Sequence, residues 1–203
     1  MSVRPTEPDE LNTRQRLFLL HGVQMSAEEA LAMNESEFTY EFLKEKGIKA
    51  TNITMAGIGP KRLKKMGLET AEQLRHLGFD ALYMTDPKFA SECNSCFGSD
   101  QVMETYLKSA SDAVALSGSD AMNILGIQVI DLLNACAGAP TEASAVLQQL
   151  PLGSSLIGVP ASVLLDTGLR KSALMDLGYS LAVVASQTKA DANQLAKLGF
   201  GIN

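Results

Sequence analysis

Tryptophan is missing from this sequence, and phenylalanine and tyrosine together supply only 5% of its residues. Histidine occurs twice, as His21 and His76. There is no Gly-x-Ser-x-Gly, and the Gly-rich Walker and dinucleotide fingerprints are absent as well. A hydrolase needs a nucleophile beside a base, or paired carboxylates in a cleft, and the sequence offers no such constellation. Cysteine is limited to Cys93, Cys96 and Cys136. Three thiols cannot all pair within the chain, which suits an intracellular, reducing compartment better than secretion. The longest uncharged run, 143–165, is long enough for a bilayer, but Gln148, Gln149, Pro151, Ser154, Ser155 and Pro160 interrupt it. No membrane span is expected there. The first ten residues are polar, acidic and proline-containing, so they read as neither a signal peptide nor an Arg-rich transit peptide.

Positive charge is also in deficit. Lys plus Arg number 17 against 23 Asp plus Glu, giving a net charge of −6. That excludes a basic nucleic-acid coat protein as a whole-chain reading, while leaving a local basic patch open. No Lys or Arg lies between Lys108 and Arg170, where five acids occur. Surfaces in water normally carry both signs, so much of this stretch is expected to be covered by the fold or by a partner. The apolar share of 46% and charged share of 20% exclude wholesale disorder across 203 residues.

What the sequence does have is glycine, 16 of them, in a pattern. An apolar residue sits four before a glycine and another follows it directly. Copies run Leu43…Gly47-Ile48, Ile53…Gly57-Ile58, Leu63…Gly67-Leu68 and Leu74…Gly78-Phe79. A second series comprises Met122…Gly126-Ile127, Leu164…Gly168-Leu169, Leu174…Gly178-Tyr179 and Leu195…Gly199-Phe200, with an outlying Phe18…Gly22-Val23. Cys136, with Leu132 four before it, reads as a degenerate copy. The period is 10 to 11 residues. A helix that ends with a left-handed glycine packs the next residue back on the one five before it, which is this spacing. Thr70-Ala-Glu-Gln73 reads as a capping box, and Asp191 and Ser172 as further caps. Each unit is then a helix of roughly six to eight residues, below the length that survives alone in water. Such helices persist only by stacking, as in a solenoid.

The pattern resembles arrays of a short Leu-x-x-x-Gly-apolar decapeptide found in proteins of protists and large DNA viruses. The resemblance covers 41–85 and 121–203, and it implies packing and assembly rather than a reaction. The expected fold is all-α, with short stacked helices forming a solenoid-like array in two segments. Residues 1–12 read as a disordered tail and 13–40 as amphipathic helices. Residues 41–85 form a first, basic array, carrying Lys44, Lys46, Lys49, Lys61, Arg62, Lys64, Lys65 and Arg75 at a net +3. Residues 86–120 read as a break and a connecting helix. The polar stretch 85–100, with Pro87 and Gly98, is the expected boundary, and 101–117 the helix. Residues 121–203 form the second, apolar array. The methionines fall mostly at apolar helix positions, as core filler.

Met55-Ala-Gly57-Ile58-Gly59-Pro60-Lys61-Arg62 is the sharpest motif, and it resembles the hairpin of helix-hairpin-helix nucleic-acid-binding domains. The resemblance implies that Gly57 and Gly59 shape a turn whose amides meet a phosphate, with Lys61, Arg62, Lys64 and Lys65 on the nucleic-acid backbone. The decapeptide pattern already accounts for Gly57, Pro60 is ordinary at a helix start, and aromatic residues are nearly absent near 57–65. A solvated basic face, or one docking on an acidic protein subunit, accounts better for the same residues. Cys93-Asn-Ser-Cys96 has the spacing of half a zinc site or a redox pair, but no second pair follows it. No metal, cofactor or catalytic residue is expected. The leading functional expectation is a non-catalytic structural or interaction subunit of a larger assembly, whose partners are protein subunits. A nucleic-acid-binding module using 57–65 is the alternative.

Overall fold

The glycine corners set the architecture. Gly47, Gly57, Gly67 and Gly78 lie at φ between +66° and +94°, a region that costs a side chain strain and glycine none. At each corner the following N–H reaches five residues back. Ile48 N donates to Leu43 O at 2.9 Å, Ile58 N to Ile53 O at 3.1 Å, Leu68 N to Leu63 O at 3.1 Å and Phe79 N to Leu74 O at 3.2 Å. Tyr179 N to Leu174 O and Phe200 N to Leu195 O repeat the bond, which is the Schellman closure of a helix. The apolar pair at each of these corners is buried.

The computed structural model of the chain describes residues 39–201. The tail expected over 1–12, nearly all of the 13–40 segment and the copy at Gly22 lie outside the described residues. Within them the fold is all-α, a stacked array of fourteen helices with no strand. A first turn of superhelix consists of α1 (Tyr40–Glu45), α2 (Ala50–Met55) and α3 (Pro60–Lys65). A second holds α4 (Ala71–His76), a 3-10 turn (Tyr83–Thr85) and α5 (Pro87–Phe97). The third is α6 (Ser99–Tyr106), α7 (Ala110–Leu116) and α8 (Asp120–Leu125). The fourth has α9 (Val129–Ala135), α10 (Pro140–Gln148) and an irregular loop over 149–160. The fifth is α11 (Ala161–Thr167), α12 (Lys171–Asp176) and α13 (Leu181–Thr188), and α14 (Ala192–Lys197) opens a sixth.

Three units per turn is what the contacts require. On one side α4 packs on α6, α9 on α11 and α11 on α14; on a second α3 packs on α5 and α5 on α8; on a third the 3-10 turn packs on α7 and α7 on α10. Side chains bridge successive turns across 30 or 31 residues: Ala71 N donates to Gln101 Oε1, Arg75 Nη1 to Thr105 O, Asn94 Nδ2 to Ile124 O and Leu156 N to Gln187 Oε1. One apolar core runs from Tyr40 to Phe200. Helices of six residues cannot hold themselves, and each fully buried Leu among them contributes roughly 1.5–3 kcal/mol by leaving water.

Several expectations are met and several corrected. Thr70 and Asp191 form the capping boxes, bonding Gln73 and Gln194 reciprocally. Ser172 does not cap; it lies inside α12, and Arg170 holds the cap position without a side-chain bond. Cys136 is not left-handed (φ −92°), and Gly138, two residues on, makes that corner at φ +71°. At Gly168 the closing bond is a side-chain one, from Leu169 N to Thr167 Oγ1 at 3.3 Å.

The polar stretch 85–100 is chiefly α5, of 11 residues, rather than a break. Asp86 accepts from Phe89 N at 2.7 Å and Pro87 opens the helix, so the proline is a start signal. Residues 101–117 belong to two helices, because Ser109 turns out of the chain to cap α7. The stretch poor in Lys and Arg is covered in part by the fold: Leu132, Leu133, Val146, Leu147, Leu156 and Leu164 are buried, while Asn123, Gln128, Asn134, Gln148, Gln149 and Ser154 are exposed. Neutral polar side chains dress it instead. Met55 and Met175 are exposed, unlike the core methionines Met66 and Met84. No described helix is long and apolar enough to cross a membrane.

Candidate docking groove between α3 and α5

Stacking α5 on α3 leaves an open groove of about 630 Å³ on that side of the array. Its first wall is the corner after α2, Gly57 to Gly59, followed by Pro60, Lys61, Arg62 and Lys65 of α3. Gly57 is left-handed at φ +74° because it ends α2. Gly59 has extended backbone at φ −103° and caps α3 without a side chain. Leu63 is buried beneath, so the helix period turns Lys61 and Lys65 outward, and both are exposed.

The opposite wall comes one superhelical turn later: Leu82 and Tyr83 before α5, then Asp86, Lys88, Phe89 and Glu92. Phe79, Tyr83 and Phe89 form one ring cluster, with centroids 5.0 to 5.8 Å apart, and it fixes the α5 entry against the core. Leu82 is left 65% exposed beside it, and Met55, next to the groove residue Thr54, is 69% exposed. Leu82 stands exposed among the cations of the groove, a combination that marks a contact surface.

The charges are mixed. Lys61, Arg62, Lys65 and Lys88 line the groove with Asp86 and Glu92. Asp86 is engaged as the cap of α5. The Glu92 carboxylate lies on the Gly59 corner, so close that a Cβ there would stand 2.8 Å from Oε2. The turn that would meet a phosphate in a helix-hairpin-helix is thus approached by a carboxylate of the same chain. Lys64, grouped with its neighbours by sequence, is outside the groove: Nζ donates to Glu69 O at 3.2 Å and lies 5.0 Å from the Phe97 ring centre. Of the residues expected to act together, Gly57, Gly59, Lys61, Arg62 and Lys65 share one site and Lys64 does not.

Leu82, Tyr83, Asp86, Lys88, Phe89 and Glu92 escaped the sequence reading. The signal for them was the superhelical period: residues about thirty further on face 57–62, and a ten-residue repeat alone does not say how many units close a turn.

Cys93 and Cys96 sit on α5, one buried and one half-buried. Burial, with Cys96 and Glu92 nearby, pushes the Cys93 thiol well above its ordinary value. Burial also raises Cys96, with Glu92 adding to it and Lys64 and Lys61 opposing. Cys136 is pushed up by burial to about 11. Raised thiol pKa values make poor nucleophiles and poor metal ligands. Among the described residues no three His, Cys, Asp or Glu side chains are grouped to hold a metal. A second cavity, of about 590 Å³ near Met122, Gln128 and Gln149, has no charged side chain in its lining. No family model, characterised protein or solved structure matches the chain.

Proposed function

We propose that this protein is a non-catalytic interaction subunit of a larger assembly, working in a reducing compartment, and that it holds a protein partner through the outer surface of its helical array. The observation that carries the reading is the α3–α5 groove, where four cations and an exposed Leu82 share one open concavity. A mixed apolar and charged concavity suits a protein side better than a nucleic-acid backbone, which favours uninterrupted positive charge. Two of the three free thiols are buried, in keeping with a compartment that does not oxidise them.

The test is recovery of the native assembly. Wild-type protein is isolated with its neighbours beside a variant carrying Lys61, Arg62 and Lys65 changed to Gln, with circular dichroism establishing that both are folded. The expected result is stoichiometric partner proteins with the wild type and their loss from the variant. Copurification of nucleic acid in place of protein, released as salt rises and lost in the variant, would put the nucleic-acid alternative first.

A further inference from the structure

We propose that the α3–α5 groove is the seat of an acidic protein segment anchored by one large apolar side chain, and that Glu92 occupies the anionic place in that seat until the segment arrives. This rests on the interaction reading above and specifies the partner's chemistry and the control of its access.

Charge complementarity identifies the occupant. The groove sets Lys61, Arg62, Lys65 and Lys88 against Asp86 and Glu92, and Asp86 is engaged at the start of α5. Glu92 is the carboxylate drawn in against the corner. It reaches the main chain there because residue 59 has no Cβ. An incoming Asp or Glu would bring a second carboxylate to the cations that share the groove with Glu92. The apolar half is the exposed Leu82 with the half-buried Tyr83 and Phe89. These give an anchor side chain a surface to leave water against.

A nucleic-acid strand fits less well on both counts. Its phosphates meet Glu92 and Asp86 in the groove. Its bases find ring faces already packed against one another, where stacking on open aromatic faces is what single strands use.

If Glu92 competes with the ligand, removing its charge must strengthen binding. The experiment uses the full chain and fluorescence anisotropy with a labelled peptide of eight Glu around a central Phe. Controls are the same peptide with Ser for Phe, the same peptide with Lys for Glu, and single- and double-stranded DNA of matching length. The expected results are these. Glu92→Gln tightens the Glu/Phe peptide by roughly three- to ten-fold, the scale of one like charge removed at short range near a protein surface. Lys61→Gln with Lys65→Gln weakens it by about ten-fold or more. Leu82→Ser weakens the Phe peptide while leaving the Ser peptide nearly unchanged. The Lys peptide does not bind.

Gly59→Ala supplies a second route to the same point. The backbone at φ −103° accepts alanine, and the new methyl displaces only the flexible Glu92 carboxylate. It should act like Glu92→Gln in direction, with an unaltered helical spectrum. Unchanged or weaker peptide binding in both Glu92→Gln and Gly59→Ala overturns the inference. So does DNA bound more tightly than the Glu/Phe peptide, or no binding of either. The interaction reading is decided separately: it stands if native partners copurify and falls if they do not.

Discussion

The corners between Gly47 and Phe79 and the loop over 149–160 fill equivalent places in the superhelix by different means. The corners close on their own main chain, with each Schellman bond between residues five apart. The loop has no helix, and it is held from outside. Gln187 of α13 accepts from Leu156 N at 3.1 Å and donates to Gly153 O at 3.0 Å, Tyr179 and Ser155 share a short hydroxyl bond, and Leu152 lies against Gly178. In both regions an apolar side chain is still delivered to the core, Leu63 or Leu74 in one and Leu156 in the other. The superhelix therefore requires a buried apolar residue and satisfied amides at each place, and a helix is one way to supply them. The regions also differ outside: the first carries the basic α3 groove, and the loop carries no charge.

If the loop is a true substitute for a helix, truncating its core residue should cost as much as truncating a corner's. Leu74→Ala and Leu156→Ala are each expected to lose about 2–5 kcal/mol, measured by urea unfolding. Met122→Ala, at the matching motif position but only half-buried, should lose clearly less. A small loss at Leu156 would mean the loop merely covers the array without bearing on its core.

The second contrast concerns borrowed bonds. Gln187→Leu should leave the Leu156 N–H without its acceptor, at a cost of about 1–3 kcal/mol, and should loosen 151–158 first. Hydrogen exchange at Leu156 and Ile157 is the readout. The Schellman bonds that close the corners of the first array are main-chain, so no single side chain carries them.

Glycine separates the regions again. Gly178 is left-handed at φ +89° with Leu152 Cδ2 3.3 Å from where a Cβ would stand. Gly178→Val should cost roughly 1–2 kcal/mol or more, and Gly178→Asn less. Gly153 has no such φ and open space around it, so Gly153→Val should stay within about 0.5 kcal/mol. Equal losses would show that Gly178 ends α12 by some means other than its conformation.

This division also sets what was legible in the sequence. Leu-x-x-x-Gly-apolar spacing reports a local closure, so α1 to α4, α12 and α14 could be placed with their buried pairs. The 3-10 turn, the long α5 and the loop use closures that leave no such spacing, and Asp86-Pro87 reads equally as a turn and as a helix start. The basic half of the groove was visible as Lys61, Arg62 and Lys65. Its acidic and apolar half lies one turn away in space, and Glu92 has no mark in sequence that pairs it with Gly59. Nothing in the order of residues 61–65 separates Lys64 from its neighbours, because Phe97, over whose ring it lies, is more than thirty residues further on.

The last contrast, expected to differ in sign, lies in two buried tyrosines. Tyr179, beside the loop, has its hydroxyl bonded to Ser155. Tyr106, ending α6, is fully buried and its hydroxyl has no hydrogen-bond partner among the described residues, although the Arg75 guanidinium lies 5.8 Å from its ring centre. Tyr179→Phe leaves a buried Ser155 hydroxyl without its partner and should cost about 1–2 kcal/mol. Tyr106→Phe keeps the ring and its cation contact, removes a desolvated hydroxyl, and should be neutral or stabilising by under about 1 kcal/mol. Alkaline unfolding carries the same sign. Burial, with Cys93 adding to it and Arg75 opposing, raises the Tyr106 phenol above its ordinary value. The folded state therefore resists ionisation that the unfolded chain undergoes near pH 10, and stability falls as pH rises beyond that point. Tyr106→Phe should flatten this fall, measured as the midpoint of urea unfolding at pH 8 and pH 11. A destabilised Tyr106→Phe with an unchanged alkaline slope would mean that the hydroxyl is bonded after all, and the contrast between the two tyrosines would disappear.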